Sequence, residues 1–221
     1  MTPVRMHPSF SKFSAAILLT LLAISTFARA QQSALNSEVQ ITKIEPVFIG
    51  SPKIAAGGYS KQGTGRPGTW LEVEVTFERS ALPKEPKMAE ELTFNYYVLL
   101  KNERFTEDKK PTLLTGSVVH VHVPQERGLH SVVFGNPRTL ASFFDGKAPA
   151  NVQQAVVDVG VTITGKNGLL ASATFSKGRQ GWWDNTALYT PTPGALLNKN
   201  ETPFAPLEWD YYESIKSKAG N

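Results

Sequence analysis

Leu71-Glu72-Val73-Glu74-Val75-Thr76-Phe77-Glu78 places an apolar side chain at every second position, with acids or threonine between. Successive side chains of an extended chain point to opposite faces, so this octet is a strand with one dry and one wet face. The alternation returns at Leu92, Phe94, Tyr96, Val98 and Leu100. On the wet side, Glu72, Glu74 and Glu78 read as a solubilising row.

Working outward, Val39 to Ile49 reads as a first strand interrupted by Pro46, which suits an edge or a bulge. Residues 50–68, rich in Gly, Ser, Lys and Pro, read as a long loop, and Lys84 to Lys87 as a charged turn. Thr112 to Val123 is a strand with Val119, Val121 and Val123 facing inward, and Leu129 to Phe134 is another. Asn136-Pro137 looks like an N-cap followed by proline at the first helical position, opening a short helix through Phe144. Gln153 to Thr164 and Leu169 to Ser176 form a hairpin across Gly165-Lys166-Asn167-Gly168. About seven alternating strands in roughly 140 residues predict an all-β, immunoglobulin-like two-sheet sandwich with one short helix. The chain has no cysteine, so packing alone must hold the sheets together.

The N-terminus reads as an export signal. Arg5, His7 and Lys12 precede an uncharged apolar run from Ser14 to Phe27, and Ala28-Arg29-Ala30 fits the small-x-small cleavage pattern. The run is short for a bilayer span, so no membrane span is expected after cleavage. The expected location is the periplasm or the cell surface. A net charge of +4 depends on this leader, because residues 1–30 carry three basic residues and no acid. Without it the chain has 20 basic and 19 acidic residues, a net charge of +1, which argues against a nucleic-acid partner.

Motifs for chemistry are sparse. Gly63-Thr64-Gly65-Arg66-Pro67-Gly68 satisfies G-x-G-x-x-G, yet it leads from a polar loop into a strand instead of a helix, so no dinucleotide site is expected. No G-x-S-x-G elbow or cysteine nucleophile exists, and no catalytic residue or cofactor is assigned. His120 and His122 lie two apart on a strand and are expected to point away from the valine face. With His130 across the loop they would make a three-imidazole patch suited to zinc or copper. A loop longer by one residue would move His130 to the other side. Solvent-facing strand histidines are the simpler reading.

Beyond residue 180 the character changes. Gly181-Trp182-Trp183-Asp184 is followed by a proline-punctuated stretch, then Trp209-Asp210-Tyr211-Tyr212 and a basic end. Two adjacent tryptophans suit core packing, a protein interface, or a glycan-binding module that stacks Trp182 or Trp183 on a sugar. The expected organisation is a leader (1–30), a sandwich (31–180) and an extended aromatic, proline-rich C-terminal tail (181–221) packing on the domain or on a partner.

Residues 181–184, together with Asn200-Glu201-Thr202-Pro203-Phe204-Ala205-Pro206-Leu207-Glu208-Trp209-Asp210, resemble the closing segment of verrucomicrobial pilus-like proteins. These are exported, immunoglobulin-like proteins associated with type IV pilus-type components. The resemblance implies a non-enzymatic envelope protein whose partners are protein components of a pilus-like or secretion complex. It marks Trp182, Trp183, Phe204, Pro206, Leu207, Trp209, Asp210 and Tyr211 as candidate partner-binding residues. No pilin helix would be retained after cleavage, so the implied role is accessory to the machine and not the fibre subunit.

Overall fold

The computed structural model describes residues 38–52, 68–80, 86–185, 187–208 and 210–217. The leader, most of the 50–68 loop with its glycine motif, and Trp209 lie outside the described residues. The described strands are β1 (Val39–Gly50), β2 (Thr69–Arg79), β3 (Met88–Leu100), β4 (Thr112–Pro124), β5 (Leu129–Gly135), β6 (Val156–Gly165), β7 (Gly168–Thr174), β8 (Thr190–Pro193) and β9 (Leu196–Asn198). They form two sheets, ordered β1-β2-β5-β9 and β7-β6-β3-β4-β8. The order β1-β2-β5 against β7-β6-β3-β4 is that of strands A-B-E against G-F-C-C′ in the immunoglobulin sandwich.

The alternating runs supply the core between the sheets. Leu71, Val73, Val75 and Phe77 of β2 are fully buried against Phe94, Tyr96 and Val98 of β3 and Val159, Val161 and Ile163 of β6. Each such side chain contributes about 1.5–3 kcal/mol relative to exposure. Phe77 meets Phe94 edge to face at 4.8 Å. Pro46 sits on β1, an edge strand, where its missing N–H interrupts no second ladder. At one end Arg79, 2% exposed, pairs with Glu38 and donates to the carbonyls of Pro86, Lys87 and Val123. A buried guanidinium is tolerable only with its donors satisfied in this way.

Three sequence expectations need correction. First, two short helices are present: α1 (Pro137–Ser142), capped by Asn136 as expected, and α2 (Val152–Ala155). Asn151 accepts from the Gln154 N–H at 3.0 Å, and this cap starts a helical turn where a strand was expected. Second, β4 presents Val118, His120 and Val123 to the interior, with Val119 and Val121 only half-buried. His122 adopts φ 56°, and this left-handed residue reverses the alternation between His120 and Val123. Third, the segment after residue 180 is not simply extended. It adds β8 in parallel to β4 and β9 antiparallel to β5, one strand to each sheet. Between these strands it crosses Gly116, where a Cβ would lie 2.4 Å from the Leu196 carbonyl oxygen; only glycine permits that approach.

Candidate functional site

The outer face of the β2 sheet carries an unusual load of apolar side chains. Trp70 of β2 and Val132 and Phe134 of β5 form a cluster with Ile49 and Leu197, and Phe204 covers it. Phe204 stacks on Phe134 at 4.6 Å and meets Trp70 edge-on at 5.5 Å. A turn at Lys199–Glu201, closed by a capping box with Asn198, aims the chain across the sheet. The exposed side of this covering segment then presents Pro206, Leu207, Asp210 and Tyr211.

Beneath it lies a knot of titratable groups. The Glu74 carboxylate accepts from Tyr211 Oη at 3.2 Å and Tyr212 Oη at 3.1 Å, and lies 3.0 Å from His130 Nδ1. His130 also stacks on Tyr211 at 4.1 Å. The Glu74 side chain is only 19% exposed, so it is an anchor and not part of a solvated row. Glu72 lies beside it, half-buried, with its carboxyl pushed up to about 7 by burial and then by Glu74, Glu208 and Glu45. Burial and the Glu74 charge likewise raise the Tyr212 phenol. Lys199 is buried, donates to the Ala205 carbonyl at 3.2 Å, and stands 5.5 Å above the Tyr212 ring. Desolvation lowers its pKa against the pull of Glu208 and Asp210.

The tryptophan pair is on the other sheet. Trp182 and Trp183 belong to a 3-10 turn, Trp182–Asp184, entered through Gly181 at φ 73°. Trp183 is buried, parallel to Tyr97 at 4.9 Å, and fills the space above Gly160. Trp182 is half-buried, edge-on to Trp183 and Tyr189. Neither indole is an open platform, so the tryptophans do not form the stacking surface considered from sequence. A methyl at position 160 would fall 2.2 Å from Trp183 Cε3. Gly160→Ala is therefore expected to push Trp183 off Tyr97, with a loss of about 1–3 kcal/mol in urea unfolding and red-shifted tryptophan emission. Unchanged emission and stability would contradict this packing.

The three histidines do not converge. His122 is exposed, His130 is half-buried under Tyr211, and His120 is fully buried between the sheets. Among the described residues no group of three or more His, Cys, Asp or Glu is arranged to hold a metal ion. His120 belongs instead to a buried relay. Tyr96 Oη donates to Ser131 Oγ at 2.7 Å, and Ser131 Oγ lies 2.7 Å from His120 Nε2. His120 Nδ1 lies 3.0 Å from the Glu213 carbonyl. A carbonyl only accepts, so Nδ1 carries the proton and Nε2 accepts from serine. Burial holds this imidazole neutral, its pKa pushed down to about 4. The Ser131–His120 distance matches that of an activated hydroxyl, but both residues are 0% exposed and no substrate reaches them.

A protein-family model matches residues 30–219 of this sequence. The chain belongs to that family. A crystal structure of a protein from Akkermansia muciniphila, a verrucomicrobial species, is similar in fold, with a TM-score of 0.70 and 22% identity over 83% of this chain and 95% of that one. No curated protein matches. The matched span runs through the covering segment to residue 219.

Of the eight sequence-marked contact residues, Trp183 and Phe204 are packing residues and Trp182 is partly so. Pro206, Leu207, Asp210 and Tyr211 share the outer surface, and Trp209 lies outside the described residues. Sequence reasoning missed Glu74, Tyr212 and Lys199. The available signal was Glu74 opposite Glu45 across β1 and β2, a like-charge pair that needs donors supplied from elsewhere.

Proposed function

We propose that this chain is an exported, non-enzymatic immunoglobulin-like module of a pilus-like or secretion-type envelope assembly, working through protein–protein contact. Its contact surface is the outer side of the C-terminal segment at Pro206, Leu207, Asp210 and Tyr211. One observation carries this reading: these four residues are exposed while Phe204 and Glu74 pin the segment from below. A surface formed before its partner arrives loses little conformational freedom on binding. Leu207 and Tyr211, 38% and 46% exposed, offer the apolar and aromatic contacts enriched at interfaces. The sequence resemblance supports the type of machine, and the leader supports export.

The test is a photo-crosslinking residue at position 207, with position 122 on the exposed part of β4 as control, in the native envelope. Adducts to pilus-type or secretion components at position 207 alone are the expected result. Equal labelling at both positions, or none at 207, would overturn the assignment.

A further inference from the structure

A cavity of about 530 Å³ opens on the β3 sheet where the chain leaves β8 and crosses to β9, and none of the four proposed contact residues lines it. Its floor is made of two cross-strand pairs, Asn95 opposite Ser117 and Tyr97 opposite Thr115. Its far wall is Asn198 and Glu201. We infer that this cleft binds a neutral sugar ring, with the Tyr97 face as its stacking wall and the β4 edge at Ser117 as its hydrogen-bonding floor.

The aromatic wall follows from the order of the strands. Tyr97 lies between Gly160 on β6 and Thr115 on β4. Trp183 stands over Gly160, parallel to Tyr97, and occupies the β6 side of its ring. Tyr97 and its cross-strand partner Thr115 both line the cleft. Trp183 thus serves as a rigid backing, so Tyr97 has little rotamer freedom to lose on stacking.

The polar floor follows from the way β4 is capped. β8 pairs with Thr112–Thr115, and the C-terminal residues pair further along, with Val121 N–H donating to Ser214 at 2.9 Å and Lys216 N–H to Val119 at 2.8 Å. Backbone groups alternate in direction along a strand, so Ser117 shares the outward direction of Val119 and Val121. It falls in the gap between the two capping segments. No described residue pairs with its outward N–H and C=O, and Ser117 lines the cleft.

The chemistry of the lining selects the ligand. Thr115 and Ser117 supply hydroxyls, and Asn95, whose amide nitrogen donates to Thr162 Oγ1 at 3.3 Å, adds a side-chain amide. Glu201 provides the sole carboxylate, and the lining contains no Lys, Arg or His. An anion would find no counter-charge, and a cation would find one acid already accepting from the Asn198 N–H at 3.1 Å. A pyranose offers an apolar C–H face to an aromatic wall and hydroxyls that both donate and accept, which matches amide, hydroxyl and backbone groups. The volume falls within the usual range of small-ligand sites, about 300–1,000 Å³.

The test titrates the leader-free chain with soluble cello-, malto-, manno- and chito-oligosaccharides, read by tryptophan emission and by saturation-transfer NMR. A saturable change with at least one series is expected, through Trp183 behind Tyr97. Ser117→Arg, which fills the cleft from an exposed strand edge, is expected to weaken it about tenfold or more, and Asn95→Ala by several fold. Leu207→Lys, outside the lining of the cleft, is expected to leave it unchanged, which separates this site from the protein contact. Absence of a saturable change across all four series would overturn the inference. So would binding that survives Ser117→Arg in a variant with native melting, or a cleft that takes up an extended peptide and no sugar.

Discussion

Phe204→Ala is expected to destabilise the sandwich by about 3–4 kcal/mol in urea unfolding, a loss usual for a core position and not for a tail. Phe204 is 8% exposed and touches both Phe134 and Trp70, so its removal opens a cavity lined by residues of β2 and β5 that cannot close on itself. Tyr211→Ala, seven residues further on, is expected to cost about 1 kcal/mol. It removes one hydrogen bond to Glu74 and a ring stacked on His130, both at a half-exposed position. The contrast matters because the proposed contact surface can be dissected by mutation only if its outer residues are dispensable to folding. Truncation after Lys199 fails that condition. It would strip Phe204 from the outer cluster and remove the Glu213 carbonyl that His120 needs, so loss of a partner by that variant would report unfolding. Near-equal costs for the two point variants would mean that no separable outer surface exists.

How much of this was legible beforehand follows from which rules are local. The β2 and β3 faces were readable because every second residue is apolar and the partner strands confirm that pattern. β4 was not, since its inward row is Val118, His120 and Val123, interrupted by one left-handed residue. His120 is buried at tolerable cost only because Ser131 and the Glu213 carbonyl satisfy it, and the latter lies 93 residues away in sequence. No window of β4 contains that information. The tail shows the same limit in another form. Its tryptophans and phenylalanine marked it as more than a linker, but Pro191 and Pro193 conceal β8. Proline is acceptable there because β8 is an outermost strand whose other side faces no ladder. Gly160 and Gly116 gave no local sign of their role, which is to leave room for Trp183 and for the crossing chain at Leu196. The candidate surface was therefore found as a region, while the split between anchors and exposed contacts required the fold.

Glu72→Gln and His120→Gln are expected to tilt the pH dependence of stability in opposite directions relative to wild type. His120 is neutral in the fold with a pKa of about 4, against 6.5 when unfolded. Its favourable contribution is complete above pH 6.5 and is lost as pH falls toward 4, because the unfolded chain takes up a proton that the folded chain refuses. That loss is about 3 kcal/mol. Glu72 works the other way. Its folded value of about 7 exceeds the unfolded 4.5, so the folded chain keeps a proton that the unfolded chain releases. The benefit is complete below pH 4.5 and is gone by about pH 7, where Glu72 ionises beside Glu74, Glu45 and Glu208. For a half-buried group, solvent screening reduces it to about 2 kcal/mol. Between pH 6.5 and 4.5 the two slopes oppose. Glu72→Gln, which mimics the neutral acid, should exceed wild type by about 2 kcal/mol at pH 8, lose that advantage by pH 4.5, and reveal the acid sensitivity of His120. His120→Gln should be less stable at neutral pH by about 1–3 kcal/mol, from imperfect replacement of two buried hydrogen bonds, and should gain stability on acidification. Urea unfolding of the three proteins at several pH values between 4 and 8 reads the differences directly, and titrations common to all three cancel. Profiles that run parallel would place neither group where burial governs its proton. Crossed profiles would show that the proton Glu72 keeps in the fold and the proton His120 refuses there oppose each other, one contribution failing in acid while the other grows.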